Sequence, residues 1–318
     1  MTIPWTPLGD LAGSQLRAAP LILTALMLDR PTRDRLVIFD PTSVHLIRPL
    51  VAVEDLAPWH VGMAGRWVIA IPHHEDATVQ RFTALMRHLD GLAAPPTLRK
   101  GATAQRDADA VEHAKATSGD DPAQAPWWLL DPATATSPAA PRIIVGGDPP
   151  VVAWDDGPGL ISGPAQVVAS ADPSWLALLG SPLGHTLLAE CGGDLANFPV
   201  PVAPAPVVAN LGALALSAAN LARQLDELER AVLKRLLADF GPPGVGAGPL
   251  LRRWWSLDFE GLRAAVLSEL RNDIPERFRA TWAQIHADEQ ATHQQARLRL
   301  AKLEEVIAGQ VQGLYDVS

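Results

Sequence analysis

Few side chains in this sequence are placed for chemistry, and their spacing argues against most reactions. His73-His74-Glu75-Asp76 gathers metal-ligand types. On an extended segment, however, adjacent side chains point in opposite directions, so neighbouring histidines do not converge on one ion. No metal site is assigned. Cys191 is the single cysteine and precedes Gly192-Gly193 with no basic neighbour to stabilise a thiolate. It reads as a bystander thiol. Gly241-Pro-Pro-Gly-Val-Gly-Ala-Gly248 is glycine-rich, but a phosphate-cradling loop follows a strand, opens a helix and offers backbone N–H groups. This segment follows a helical stretch and contains two prolines, so it reads as a helix-ending linker. There is no Gly-x-Ser-x-Gly elbow and no P-loop. No catalytic residue is assigned.

The elements that must position any site fall into two halves. Before residue 205, β-branched and aromatic runs are bounded by Gly, Pro and Asp. They predict strands at Leu36–Phe39, Trp67–Ile71, Arg142–Val145, Val151–Trp154 and Gln166–Ala169. Asp155-Asp156-Gly157 is a strong turn signal and predicts a hairpin between the strands that flank it. Helices are expected over Thr78–Leu89 and Pro173–Leu188, the second opened by Asp172 as N-cap. Ala93–Gln124 reads as loop, with a short helix possible over Asp107–Ala116. Pro199–Pro206 is a proline-rich, extended connector. Beyond it, apolar residues at helical spacing predict helices over Val208–Phe240, Phe259–Leu270 and Pro275–Leu314. The expected class is α+β: a mixed β-strand domain over 1–205, then a helical domain over 206–318.

Charge narrows the classes further. The chain has 318 residues and a net charge of −9. Residues 1–199 hold 13 Lys+Arg against 21 Asp+Glu, and residues 200–318 hold 13 against 14. An acidic chain is a poor stand-alone binder of nucleic acid, whose non-specific affinity comes from cations displacing counterions at phosphates. One cysteine allows no disulfide, which makes a reducing cytoplasm the expected location. The apolar stretch Leu21–Leu28 is far shorter than the ~20 residues a bilayer needs, and no membrane span or signal peptide is expected.

A series of landmarks runs through the chain in order. Asp40-Pro-Thr-Ser-Val-His-Leu-Ile-Arg-Pro-Leu50, Val53-Glu54-Asp55-Leu56-Ala-Pro-Trp59 and Gly65-Arg-Trp-Val-Ile-Ala-Ile-Pro72 come first. Arg142-Ile-Ile-Val145, Trp154-Asp-Asp-Gly-Pro-Gly-Leu-Ile-Ser162, Trp175-Leu-Ala-Leu-Leu-Gly-Ser181 and Asn197-Phe-Pro-Val-Pro201 follow. Leu303-Glu-Glu-Val-Ile-Ala-Gly-Gln-Val-Gln-Gly-Leu-Tyr315 closes the series. In this order they resemble the C-terminal, TaqI-like specificity region of adenine-specific DNA methyltransferases and fused type II restriction-modification enzymes. The resemblance is weakest over 1–35 and 93–125. It implies a target-recognition module for restriction-modification or phage defence. The catalytic methyltransferase domain, with its Asn-Pro-Pro-Tyr motif, is not in this sequence. S-adenosylmethionine is expected in a partner methyltransferase subunit, and no cofactor in this chain. Asp148-Pro149-Pro150 is similar to the amino-methyltransferase motif, but Val151 stands where an aromatic would stack on a flipped base. A turn before a strand is the preferred reading. The family's Gly-Arg-Asp is Val53-Glu54-Asp55 here, and its Asn-Ser is Gly180-Ser181.

Double-stranded DNA is accordingly one expected partner, with Arg48, Arg66, Arg99, Lys100 and Arg142 as candidate contacts. The alternative is a protein-interaction scaffold that no longer binds DNA. Its candidate docking residues are Trp254, Trp255 and Trp282.

Overall fold

The computed structural model describes residues 5–13, 16–19, 24–62, 65–72, 79–92, 128–130, 140–169 and 171–316. The expected features at His73-His74, Asp107–Ala116, Arg99 and Lys100 lie outside these residues. In chain order the elements are β1 (Trp5–Pro7), α1 (Leu8–Ala12), β2 (Leu16–Ala18), β3 (Met27–Leu28), α2 (Arg30–Phe39), β4 (Ile47–Ala52), β5 (Leu56–Ala57), β6 (Trp59–Val61), β7 (Trp67–Ile69), β8 (Ile71–Pro72) and α3 (Thr83–Asp90). Then come β9 (Leu129–Leu130), β10 (Arg142–Gly146), β11 (Val151–Asp155), β12 (Leu160–Ser162), β13 (Ala165–Ala169), α4 (Pro173–Gly180), α5 (Pro182–Glu190), β14 (Pro199–Pro201), α6 (Ala205–Phe240), α7 (Phe259–Leu270) and α8 (Glu276–Asp316). The α+β class is as expected.

A six-stranded sheet runs β2-β13-β10-β11-β6-β5, and a four-stranded one runs β12-β4-β7-β3. Alternation along β10 buries both faces of the larger sheet. Ile143 and Val145 enter a core shared with α4, α6 and α8. Ile144 points the other way, into a small cluster with Ile161 of β12. The four-stranded sheet has its own core beneath α2 and α3, with Leu36, Ile47, Val68, Leu85 and Leu89. The layers are therefore helices, sheet, sheet, helices.

Three local expectations change. Leu36–Phe39 is not a strand but the last turn of α2. Asp29 caps that helix by accepting from the Thr32 N–H at 2.9 Å, Pro31 occupies its first turn, and only Leu36 of the helix is buried. The turn at Asp155-Asp156-Gly157 makes no hairpin, because β11 and β12 lie in different sheets. The hairpin is β10–β11, closed by Gly147-Asp148-Pro149-Pro150, where Gly147 has a φ of 94° that favours glycine. The helix expected over 173–188 is two, broken at Ser181-Pro182. A Cβ on Gly184 would stand 1.8 Å from the Leu178 carbonyl oxygen, so the second helix starts only because residue 184 has no side chain.

The C-terminal helices form as their 3.6-residue periodicity predicts. α6 and α8 run antiparallel. Asn210 bonds Gln310, Glu229 bonds His293, and Phe240 packs on Trp282 with ring centroids 5.2 Å apart. Contact therefore extends over about 30 residues, or roughly 45 Å. One end of the pair contributes Leu211, Ala215, Ala218, Leu300, Ile307 and Val311 to the core that also holds Leu8, Ile143 and Phe198. The other end closes a second core with Trp254, Leu262, Val266 and Trp282. A single hydrophobic core thus crosses the Pro199–Pro206 connector. An 18-residue window of α6 reaches a mean hydropathy of 1.5, enough in length and composition to cross a bilayer. Its alanine- and leucine-rich face is in that core, packed on α4 and α8.

Candidate nucleic-acid interface

The structure divides the arginines into two populations. Arg142, a predicted contact, is fully buried. Its Nε and Nη2 donate to Asp155 Oδ2 at 2.9 and 2.5 Å, and Nη2 donates to the Gly159 carbonyl at 2.6 Å. It is a structural residue, and no ligand reaches it. A guanidinium out of water is tolerated only when paired and hydrogen-bonded in this way. Arg142 bonds Asp155 at the end of β11 and Gly159 just before β12, and so braces the connection between the two sheets that stands in place of the expected hairpin. Arg66, in a segment that carries the resemblance, is half-exposed. Asp55 and Glu54 hold it, the latter at 3.8 Å. Asp55 is itself buried and accepts from the Ala52 N–H at 2.8 Å. Glu54 and Asp55 thus act as acceptors for Arg66.

Arg48 behaves differently. It is exposed on β4 and makes no ion pair among the described residues. Sequence reasoning missed four more arginines of this kind in the same lobe. Arg30 and Arg35 lie on α2, Arg81 lies just before α3, and Arg87 lies on it. All are exposed, and none has an ion pair among the described residues. Three of the nearby acids have other partners, while Asp90 at the end of α3 is exposed. Asp29 caps α2, and Asp34 pairs with Arg33 at 2.8 Å. Asp40 Oδ2 accepts from the Ala84 and Leu85 N–H groups at the start of α3. Arg33 is further pinned over the Trp67 ring, 5.5 Å from its centroid. The α2 and α3 sides meet electrostatically. Burial, then the charge of Arg35, lowers the pKa of His88 on α3.

The predicted docking tryptophans are mostly core. Trp254 is wholly buried, its indole N–H reaching the Glu229 carbonyl at 3.4 Å, and Trp282 is buried between Phe240 and the Arg235 guanidinium. Trp254, from the short turn before α7, and Trp282, from α8, fill the second core and are not on its surface. Trp255 is half-buried and stacks on His293 at 4.7 Å.

Elsewhere the functional groups hold the halves together. Trp59 opens β6, just after the turn from β5, at a φ of 75°, unusual for a bulky side chain. Its ring lies against Gly180, where a Cβ would approach it to 3.1 Å, and its indole N–H donates to Glu304 of α8 at 2.8 Å. Glycine at position 180 leaves this ring its room. The next residue, His60, is buried 3.6 Å from Asp226 of α6, and Arg230 stands 2.8 Å from the same carboxylate. Burial works against ionisation of Asp226, but His60 and Arg230 outweigh it, so its carboxyl sits below the usual carboxylate range. Cys191 shows no activated chemistry: burial, then the charges of Glu190 and Asp194, push its thiol up. Among the described residues no group of three or more His, Cys, Asp or Glu is placed to hold a metal.

Residues 207–311, from α6 into α8, match the model of a domain of unknown function (DUF8810). No curated protein matches the chain. Among solved structures, the chain is similar to the type IIL restriction-modification enzyme MmeI in complex with DNA, with a TM-score of 0.42 and 11% identity. The likeness covers 92% of this chain and 37% of the other, so the chain spans little more than a third of that enzyme's length.

Proposed function

We propose that the chain is a DNA sequence-recognition module of an adenine-methyltransferase or restriction-modification system. It works with a separate catalytic subunit that binds S-adenosylmethionine. The observation that carries this reading is the set of five exposed arginines, Arg30, Arg35, Arg48, Arg81 and Arg87, without ion pairs among the described residues of a lobe whose acids are mostly engaged. The collinear motif series of the sequence supports it. In the proposed complex these guanidiniums take phosphates and set the orientation, and strand and loop side chains read base edges in the major groove. The acidic total then matters less than its placement, because phosphates respond to local charge within a Debye length of about 8–10 Å.

The test is binding of a labelled duplex across a salt series, with the chain alone and with a co-purified methyltransferase, backed by pull-down from native extract with and without nuclease. Sequence-specific binding that appears or sharpens with the methyltransferase is expected. Partners retained after nuclease, with no methyltransferase and no duplex binding, would sink the reading. They would favour the protein-interaction scaffold, which the locking of Arg66 and Arg142 in ion pairs also supports.

A further inference from the structure

We propose that the outer groove between α6 and α8 docks an acidic amphipathic helix of a partner protein. The groove measures about 510 Å³ and lies between Ser217, Asn220 and Gln224 on α6 and Arg299 and Lys302 on α8, over Leu221, Leu303 and Val306. It faces away from the buried side of the pair. At 100° per residue, Leu298, Lys302, Val306, Arg299 and Leu303 share an arc of about 140° on α8, centred about 130° from the buried arc of Leu300, Ile307 and Val311, with Leu303 at the border of the two. Aliphatic surface is open to solvent along this arc. Leu298 is 65% exposed and Val306 40%.

Two facts select the occupant. Its floor is three aliphatic side chains, which suits aliphatic knobs. The trough between two antiparallel helices has the shape a third helix fills at the usual 8–10 Å spacing. The lined stretch is two turns long on each helix, so the occupant presents aliphatics at i, i+4 and i+7. The second fact is charge. Arg299 and Lys302 are the charged residues lining the groove, and neither has an ion pair among the described residues. Carboxylates flanking the apolar stripe complete them, and the amides and hydroxyl of Asn220, Gln224 and Ser217 meet the polar edge opposite. The site is separate from the arginine-bearing lobe and stands whether or not that lobe binds DNA.

The experiment uses the full chain and two fluorescein-labelled helical peptides with leucines at i, i+4 and i+7. One is flanked by glutamates and its twin by lysines. Anisotropy is expected to show the glutamate peptide binding at least about tenfold tighter at low salt. Arg299→Glu with Lys302→Glu inverts that preference, and Val306→Asp abolishes binding of both peptides. All three positions are exposed, and unchanged circular dichroism and melting will show that the variants fold. Equal binding of the two peptides, a preference that survives the charge reversal, or no saturable binding up to the peptides' solubility would overturn the proposal. So would concentration-dependent dimers dissolved by Val306→Asp, which give the groove to a second copy. Displacement of the peptide by duplex DNA from a chain whose Arg30, Arg35, Arg48, Arg81 and Arg87 are alanine would give it to nucleic acid.

Discussion

The α2–β4–α3 lobe and the six-stranded sheet carry arginines of identical chemistry and put them to opposite uses. In the sheet, Arg142 is wholly buried and spends its donors on Asp155 and Gly159. In the lobe, Arg48 stands on a strand of similar length and keeps its donors in water. The difference lies in where the acids go. Asp155 is buried opposite Arg142 in the β10–β11 register, whereas Asp29 and Asp40 are absorbed in capping helices. A chain of net charge −9 can thus keep exposed arginines without ion pairs among the described residues, because several of its acids bond to helix N-termini or to other cations.

The strongest way to break this comparison is Arg142→Met. It leaves the buried Asp155 carboxylate without a cation, bonded by the Gly157 N–H, and is expected to cost about 3–5 kcal/mol, read as a drop in melting temperature. A variant as stable as the wild type would mean that the pair is not what holds the β11–β12 crossover. Trp254→Ala is expected to cost a comparable 3–5 kcal/mol by denaturant titration, as for a ring removed from a core. Loss of partner binding at undiminished stability would instead restore Trp254 as a docking residue.

Asp226→Asn tests the polar joint between β6 and α6. A carboxyl held below its ordinary pKa stabilises the fold above the unfolded value near 4, and that contribution is lost as pH falls through the folded value. The expected loss is about 1.5–3 kcal/mol at pH 7, as for a bond to a charged group, and wild type and variant should draw together as pH drops below about 4 and converge only beneath the folded value. A gap that persists into acid would assign the effect to packing. The smallest stability effect belongs to the lobe. Arg48→Ala should change folding by less than about 0.5 kcal/mol, yet lower the salt slope of duplex binding by about one. A change in stability with no change in slope would erase the distinction between the two regions.

What could be read from the sequence follows from how local each determinant is. The helices over 208–240, 259–270 and 275–314 were legible because periodicity is a property of one segment. So were the Asp172 cap, whose side chain accepts from the Ser174 N–H, and the strands at 142–145 and 151–154. Leu36-Val-Ile-Phe39 misled because its β-branched character was outweighed by an N-cap seven residues upstream. It ends a helix with Ile38 and Phe39 exposed. The hairpin at 155–157 failed because β12 pairs with β4, distant in sequence, in the other sheet. The arginines divided wrongly for the same reason, since Arg48, Arg66 and Arg142 look alike until their acids are placed. The groove was illegible because Leu221 and Leu303 meet only through the antiparallel packing of two helices.

That packing also sets how the molecule can come apart. α6 and α8 are shared by two cores, one enclosing Ile143 and Phe198 and the other enclosing Trp254 and Trp282. Neither core can open fully without releasing helix that the other needs, so the pair couples them into one cooperative unit. Amides near the middle of α6, around Leu225, should therefore exchange with solvent only at the rate of global unfolding. Those of α2 and α3, which rest on a separate core, should exchange through a cheaper, local opening.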